Sequence, residues 1–199
     1  MTRIVLVRHG TADAGGRAYG QRFDPGLAHT GGLEPDALRA RGGLEEVVAV
    51  LCSPTRRTRE SAERLGLPVD RVEPRWLERD LGAWEGRLWE ELWREAPPEV
   101  TTDPAAYADF TPPEGEPVRQ LRVRVAAALT ELADEHPTTD PLAVAPVVVV
   151  THGGVVNAAV AHVLDLDTAT SLRVRVATAS ATWLTRFPGG HWTLDRLAA

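Results

Sequence analysis

The sequence contains no lysine, so all 22 of its basic residues are arginines, set against 28 acidic residues. The formal net charge of −6 excludes a general affinity for nucleic acid or for an anionic membrane surface. The absence of lysine is typical of biased codon usage in a GC-rich genome. Where a phosphate must be held, however, arginine offers two parallel donors that lysine lacks.

Cysteine and long apolar runs are also scarce. Cys52 is the one cysteine, which excludes an internal disulfide and a cysteine-based metal site. We expect it to be a small buried side chain rather than a nucleophile. No apolar run approaches the roughly 20 residues that span a bilayer, and the chain starts on an apolar strand without a signal-peptide pattern. These features predict a cytoplasmic protein with no membrane partner.

The histidines fall into two groups. Two of them, His9 and His152, follow the apolar runs 1–7 and 146–150 after one intervening residue each. Open α/β sheets bind ligands outside the carboxyl ends of their strands, so these two are candidate site residues. The others lack the spacing of metal ligands and are expected at the surface or in packing: His29, His136, His162 and His191. No metal site is predicted.

Strand and helix patterns alternate along the chain, which predicts one α/β domain over 1–199. The expected architecture is a three-layer α/β/α sandwich with a mostly parallel central sheet. Ser53 is predicted to cap a helix that begins at Pro54. The predicted strands are 1–7, 47–51, 69–72 and 147–150, with a terminal hairpin at 181–187 and 191–197. The predicted helices are 33–41, 54–65, 88–95, 118–135 and 153–164, and 11–32 is predicted as loop.

Tryptophan and proline are concentrated in and around residues 84–118. A short helix over 88–95 followed by an irregular, cap-like segment is expected there. This segment could fold over a pocket and set specificity. Alternatively, its tryptophans only anchor irregular chain to the core.

Four polar segments lie at or after predicted strand ends, namely 8–10, 53–57, Glu78 and 151–153. Each alone has an ordinary structural explanation, but together they suit phosphoryl transfer. Arginines and the amides at a helix N-terminus neutralise phosphate oxygens. A neutral imidazole is a competent nucleophile, and a carboxylic acid can protonate the leaving oxygen. No metal is needed for such a two-step reaction.

Six segments in order along the chain resemble the histidine phosphatase superfamily, the phosphoglycerate-mutase-like proteins with an Arg-His-Gly signature. The first is the strand that leads into Arg8-His9-Gly10. The others are the loop with 16–20 and 24–27, Ser53-Pro54 with Arg57, 78–86, 112–116 and 150–154.

The resemblance implies a role for each matching residue. His9 would take the phosphoryl group, and Glu78 would act as general acid and then as general base. His152 would be charged or would donate to the transferring group. The phosphate pocket would be formed by Arg8, Arg57, His152 and the backbone N–H of Gly153. No cofactor is implied, and the partner is a small-molecule phosphate ester.

The chain departs from the family after Gly10. Many relatives continue with Glu-Thr and later place an asparagine near the phosphate, whereas this chain has Thr11-Ala-Asp-Ala-Gly. Thr11 is therefore a candidate for supplying a hydroxyl to the pocket. Arg17 and Arg22 are candidates for contacting a second acidic group on the substrate, the alternative being solvated loop arginines.

The resulting hypothesis is a metal-independent phosphomonoesterase of the phosphatase branch. Sugar phosphates, phosphoglycerates and ribazole phosphate all remain candidate substrates. The nearest alternative is a cofactor-dependent mutase, which shares the catalytic core. A non-catalytic phospho-ligand binding protein is a third hypothesis, although His9, Arg57, Glu78 and His152 are all retained. The sequence leaves the oligomeric state open.

Overall fold

The computed structural model describes residues 1–29, 35–138 and 145–198, and its centre is a six-stranded sheet in the order β3-β2-β4-β1-β5-β6. The strands are β1 (Thr2–Arg8), β2 (Ala49–Cys52), β3 (Arg71–Val72), β4 (Val147–Thr151), β5 (Ala181–Arg186) and β6 (Trp192–Arg196). The four strands from β3 to β1 run parallel, whereas β5 and β6 are added antiparallel. The mostly parallel sheet is therefore confirmed.

Helices and two short 3₁₀ turns connect these strands. The helices are α1 (Pro35–Gly42), α2 (Arg56–Arg64), α3 (Trp89–Glu95), α4 (Pro98–Thr102), α5 (Pro104–Asp109), α6 (Val118–Glu135), α7 (Gly153–Val163) and α8 (Thr168–Ser171). The 3₁₀ turns are Pro74–Trp76 and Gly82–Trp84. The predicted bounds of α6 match the structure, and those of α7 differ by one residue.

The alternation of side chains along the strands explains why helices pack on both faces of the sheet. In β1, Ile4 and Leu6 belong to the apolar cluster that contains residues of α6 and α7. Val5 and Val7 belong to a second cluster, with Leu38 of α1 and Ala62 of α2. Successive side chains of a strand point to opposite faces, so an unbroken apolar run fills both sides of the sheet. The predicted α/β/α sandwich is confirmed.

The prediction that Ser53 caps a helix starting at Pro54 was wrong. The helix α2 begins at Arg56, and its N-cap is Thr55, which makes no side-chain capping bond. The hydroxyl of Ser53 instead contacts Nε2 of His152 at 2.8 Å. Thr58 donates to the carbonyl of Ser53 at 2.8 Å, which holds the segment before the helix.

The segment after α3 is more regular than expected. Residues 98–109 include α4 and α5, each of which starts with a proline at its first position. Proline suits that position because its missing N–H would have no partner within the helix. The proline density predicted irregular chain, but here it marks helix starts. Residues 30–34, including the predicted helix start at Leu33, lie outside the described part of the chain.

Two further features bear on the sequence-based expectations. Cys52 is a buried free thiol, and burial raises its pKa, as expected for a packing residue. No helix within the described ranges combines the length and apolarity required to cross a bilayer.

Candidate active site

The carboxyl ends of β1 and β4 lie next to each other and bring the two histidines together. Arg8 pairs with Thr151 in the parallel register, and the N–H of His9 donates to the carbonyl of Thr151 at 2.9 Å. The ring centroids of His9 and His152 are 5.3 Å apart. A cavity of about 420 Å³ opens at this edge. Its polar lining includes Arg8, His9, Tyr19, Glu78, Arg79, Arg122 and Asn157.

His9 has the tautomer and the charge state of a nucleophile. Its side chain is 1% exposed, and Nδ1 lies 2.6 Å from the carbonyl oxygen of Gly10. A carbonyl can only accept, so Nδ1 carries the proton and the lone pair is on Nε2. Burial, reinforced by the nearby charges of Arg57 and Arg8, lowers the pKa of His9 to about 3. The ring is therefore neutral at physiological pH.

His152 lies beside His9 and is completely buried. Its Nε2 contacts the hydroxyl of Ser53 at 2.8 Å. Burial, together with the charge of Arg57, lowers its pKa well below the usual value, which favours the neutral ring in the free protein. A neutral His152 ring that donates a hydrogen bond therefore fits this environment better than a permanently charged ring. The sequence did not indicate Ser53 as its partner.

Arg57 is held in place by fixed acceptors. It is fully buried, its Nη1 pairs with the carboxylate of Asp24 at 3.0 Å, and its Nη2 donates to the carbonyl of Gly20 at 2.7 Å. Its guanidinium lies 4.9 Å from the ring centre of Tyr19. The neighbouring Arg56 is exposed and pairs with a carboxylate of its own helix. Of the two adjacent arginines, only Arg57 therefore reaches the buried site.

Three buried nitrogens around His9 lack a hydrogen-bond partner among the described residues. They are Nε of Arg8, Nε of Arg57 and Nδ1 of His152. Arg8 does use its Nη1, which donates to the carbonyl of Val176. Buried polar atoms are normally satisfied, so a cluster of unsatisfied nitrogens calls for a missing acceptor. A phosphate group, with several anionic oxygens, is such an acceptor.

Glu78 also lines the cavity, and its carboxylate is held by backbone donors. Its Oε2 accepts from the N–H of Gly154 at 3.0 Å, and its Oε1 accepts from the N–H of Arg79 at 2.8 Å. The first of these donors belongs to the first turn of α7. The two N–H groups thus fix the carboxylate where it can exchange a proton with a group in the cavity.

The Gly153-Gly154 pair leaves space for two functional side chains. A Cβ at Gly153 would lie 3.0 Å from Cζ of Arg8, and one at Gly154 would overlap Oε1 of Glu78. A side chain at Gly154 would therefore force the carboxylate to move. The sequence indicates only that a helix starts here, whereas the structure shows why both positions lack a side chain.

The loop residues predicted to contact substrate are not brought to the cavity. Thr11 is exposed, and Arg17 donates to the carbonyl of Gly86 at 2.6 Å. Arg22 pairs with Asp80 at 3.4 Å and with Glu114. None of the three lines the cavity, whereas Gly153 does. Arginines in a loop form hydrogen bonds and ion pairs with nearby carbonyls and carboxylates. The sequence cannot show which face of the loop these arginines occupy.

Sequence reasoning missed several lining residues, including Arg79, Arg122 and Asn157. The position of Arg79 beside Glu78 was the available signal. The segment 84–118 contributes Trp89, Tyr107 and Val118 to the lining. Trp84, in contrast, is 7% exposed and packs against Phe110 and other rings of the same segment. Packing within the segment is thus observed for Trp84, whereas Trp89 both packs against Trp84 and Trp93 and lines the cavity.

No group of three histidine, cysteine, aspartate or glutamate side chains suited to a metal ion occurs within 1–29, 35–138 and 145–198. The site instead combines a neutral imidazole, buried guanidinium groups and one carboxylate. This combination provides a nucleophile, an anion-binding cluster and a proton donor or acceptor.

Comparisons with known proteins agree with this chemistry. Residues 4–199 match the family model described as histidine phosphatase superfamily (branch 1). A metal-independent phosphoserine phosphatase of Arabidopsis thaliana is 32% identical over 187 residues, covering 86% of this chain and 73% of that protein. The glucosyl-3-phosphoglycerate phosphatase of Mycobacterium tuberculosis is 32% identical over 200 residues, covering 96% and 86%. The solved structure of a mycobacterial glucosyl-3-phosphoglycerate phosphatase aligns with a TM-score of 0.84 at 29% identity, covering 100% and 99%.

The environment of His9 predicts that its ring does not titrate between pH 8 and pH 5. Burial and two arginines oppose protonation in the folded state, so a charge appears only as the pH falls towards about 3. Two-dimensional ¹H–¹⁵N spectra of the ligand-free protein would follow the ring nitrogens. The denatured protein provides the control, with histidines titrating at about 6.5. Protonation of folded His9 in the range of the denatured control would contradict the assigned charge state.

The contact at Gly154 predicts that Gly154→Ala displaces the Glu78 carboxylate and lowers kcat for p-nitrophenyl phosphate hydrolysis. A misplacement of about 1 Å can cost on the order of 100-fold in rate. The matched control is Gly26→Ala, whose new methyl group would meet the flexible side chains of Arg56 and Glu60. We expect the control to retain about the wild-type rate. Equal rates for both variants would show that the position of Glu78 is not critical.

Proposed function

Because the chain belongs to the histidine phosphatase superfamily and is a phosphatase of small metabolites, we propose that it works through a phosphohistidine on His9. The observation that carries this proposal is the neutral ring of His9, whose Nε2 has the lone pair while Nδ1 donates to the carbonyl of Gly10. Unpartnered nitrogens of Arg8 and Arg57 lie in the same buried cluster of the described chain.

In the first step, Nε2 of His9 attacks phosphorus and forms an N–P bond. The bond from phosphorus to the ester oxygen breaks, and the leaving oxygen takes a proton from Glu78. Charge that develops on the phosphoryl oxygens is stabilised by Arg8, Arg57 and His152. The backbone N–H groups at the start of α7 add further donors to the same region.

In the second step, a water molecule attacks the phosphohistidine. The Glu78 carboxylate takes a proton from this water, and a new P–O bond forms as the N–P bond breaks. The electron pair returns to Nε2 of His9, and inorganic phosphate leaves. Glu78 is again protonated, so the site is ready for the next ester.

The substrate class follows from the cavity and the relatives. A volume of about 420 Å³ lies at the small end of the range for metabolite sites, roughly 300–1,000 Å³. The relatives reported above are named for phosphoserine and for glucosyl-3-phosphoglycerate. A small phosphate monoester of a metabolite is the class that they share, and we assign that class to this chain.

The reaction on His9 predicts that His9→Ala lowers hydrolysis of p-nitrophenyl phosphate by about 10⁴-fold or more, because the nucleophile is lost. Thermal unfolding should show that the variant remains folded. His191→Ala, at an exposed position outside the cavity, is the matched control and should retain about the wild-type rate. Substantial turnover by a folded His9→Ala variant would exclude the covalent mechanism.

Two measurements test metal independence and separate phosphatase from mutase chemistry. The first adds EDTA, and the second analyses the products formed from 3-phosphoglycerate. We expect p-nitrophenyl phosphate to be hydrolysed at an unchanged rate, since the proposed steps use no metal. With 3-phosphoglycerate we expect inorganic phosphate and no 2-phosphoglycerate. Loss of activity in EDTA would overturn metal independence. Isomerisation without phosphate release would instead favour a mutase.

A further inference from the structure

Glu78 differs from the two histidines of the site in how its main chain is held. His9 and His152 directly follow β1 and β4, whereas Glu78 lies within residues 77–81, between the two 3₁₀ turns and outside any helix or strand. Main-chain carbonyls in such a stretch need donors from elsewhere in the protein where water does not reach them. The position of the Glu78 carboxylate therefore depends on the side chains that bind this stretch.

Arg124 of α6 binds the main-chain carbonyls of this stretch and of the turn before it. Its Nη1 donates to the carbonyl of Arg75 at 2.9 Å and to that of Leu77 at 2.7 Å. Its Nη2 donates to the carbonyl of Glu78 at 2.9 Å. The next residue of α6, Val125, is fully buried in the larger apolar cluster. One rigid, planar guanidinium thus ties three carbonyls, including that of Glu78, to a helix anchored in the core.

Glu116 binds both Arg124 and the main chain after Glu78. Its Oε1 accepts from Nη2 of Arg124 at 2.6 Å and from the N–H of Asp80 at 3.1 Å. The N–H of Glu116 donates to the carbonyl of Asp80 at 2.9 Å. The two paired side chains are mostly buried, with 20% of Arg124 and 8% of Glu116 exposed. Hydrogen bonds from this pair therefore bracket Glu78 along the chain, from residue 75 to residue 80.

A second arginine links the same two parts of the protein in a different way. Arg75 pairs with Glu73 and with Glu131 of α6, and its side chain is 36% exposed. Exposed ion pairs of this kind contribute little, because water screens them. Breaking a mostly buried pair is more disruptive, because the remaining partner keeps a charge without compensation. The pair of Arg124 and Glu116 is of this second kind, and it binds the main chain around Glu78.

We propose that Arg124 and Glu116 form a positioning pair for Glu78, which fixes its main chain so that the carboxylate reaches the leaving oxygen. The inference rests on the proposed function, in which Glu78 gives that oxygen a proton. The N–H groups of Arg79 and Gly154 orient the carboxylate itself, and the pair fixes the chain from which it extends. Neither member of the pair belongs to the described lining of the cavity, so both act through Glu78.

The test compares two aryl esters of similar size, p-nitrophenyl phosphate and phenyl phosphate. The p-nitrophenolate ion is a weak base and leaves readily without a proton, whereas phenolate is a stronger base and depends on the general acid. We expect Arg124→Gln to raise the ratio of kcat/KM for p-nitrophenyl phosphate to kcat/KM for phenyl phosphate by about tenfold, because a positioned general acid contributes roughly 100-fold or more. The loss is partial because Gln21 also donates to the carbonyl of Glu78, at 2.8 Å.

Further variants separate a positioning role from general damage to the site. Glu116→Gln should raise the same ratio, and the double variant should be no worse than the stronger single one, because the two residues act as a unit. Arg124→Lys keeps the charge but not the planar fork, so an intermediate ratio is expected. Arg75→Gln is the matched control and should keep the wild-type ratio, since it removes the exposed link to α6.

Inhibition by inorganic phosphate provides a second readout. The guanidinium of Arg57 is held by Asp24 and by the carbonyl of Gly20. The inhibition constant of phosphate should therefore be the same in Arg124→Gln as in the wild type. A weaker inhibition that accompanies equal losses on both esters would indicate a purely structural role for Arg124.

An unchanged ratio in Arg124→Gln, whether or not both rates fall, would overturn the inference. A rise in the ratio that Arg75→Gln shows to the same extent would also overturn it. If thermal unfolding shows that Arg124→Gln does not fold, Glu116→Gln and Arg124→Lys decide the inference by the same ratio.

Failure of the proposed function is a separate outcome. It is recognised when the wild type hydrolyses neither ester, or when Glu78→Gln leaves the ratio unchanged. The inference is then decided by the ¹H–¹⁵N resonances of Gly154 and Arg79, whose amides bind the Glu78 carboxylate. Shifts of these resonances in Arg124→Gln that are absent in Arg75→Gln support the positioning role. Unchanged resonances, or the same shifts in both variants, refute it.

Discussion

The parallel pairing of β1 with β4 is the constraint on which the site depends. Strands from opposite ends of the chain are brought into one register, which begins with Ile4 opposite Val147 and ends with Arg8 opposite Thr151. The next residue after each strand is a histidine, and the two rings lie 5.3 Å apart. Because both strands are buried on both faces, a slip by one residue would turn each apolar side chain to the wrong layer. The core therefore fixes the relative position of the two histidines.

Around these two histidines, burial determines the charge state of the imidazole of His9. The exclusion of water and the guanidinium groups of Arg57 and Arg8 keep His9 neutral, and the same groups create a strong preference for an anion. The free site thus holds buried positive charge and nitrogens that the described core does not satisfy. Natural proteins retain such unfavourable arrangements where a ligand completes them.

The segment 84–118 combines packing within itself with a contribution to the cavity wall. Part of its aromatic content, such as Trp84 against Phe110, packs within the segment itself. Trp89 and Tyr107 instead face the cavity, and Tyr107 lies beside Arg79. The same packing that orders α3 to α5 therefore shapes part of the cavity wall.

The sequence alone determined the layered α/β architecture and the strand-end histidines, because apolar periodicity and strand-to-loop transitions are local properties. Family resemblance added expected roles for Arg57 and Glu78, which local pattern could not assign. Tertiary structure decided what depends on contacts between distant residues. Ser53 bonds His152 rather than capping α2, Arg22 pairs with carboxylates outside the cavity, and Arg79 is buried in its wall. Hydrogen bonds and charges are satisfied by neighbours in space, and a linear sequence does not specify which neighbours those are.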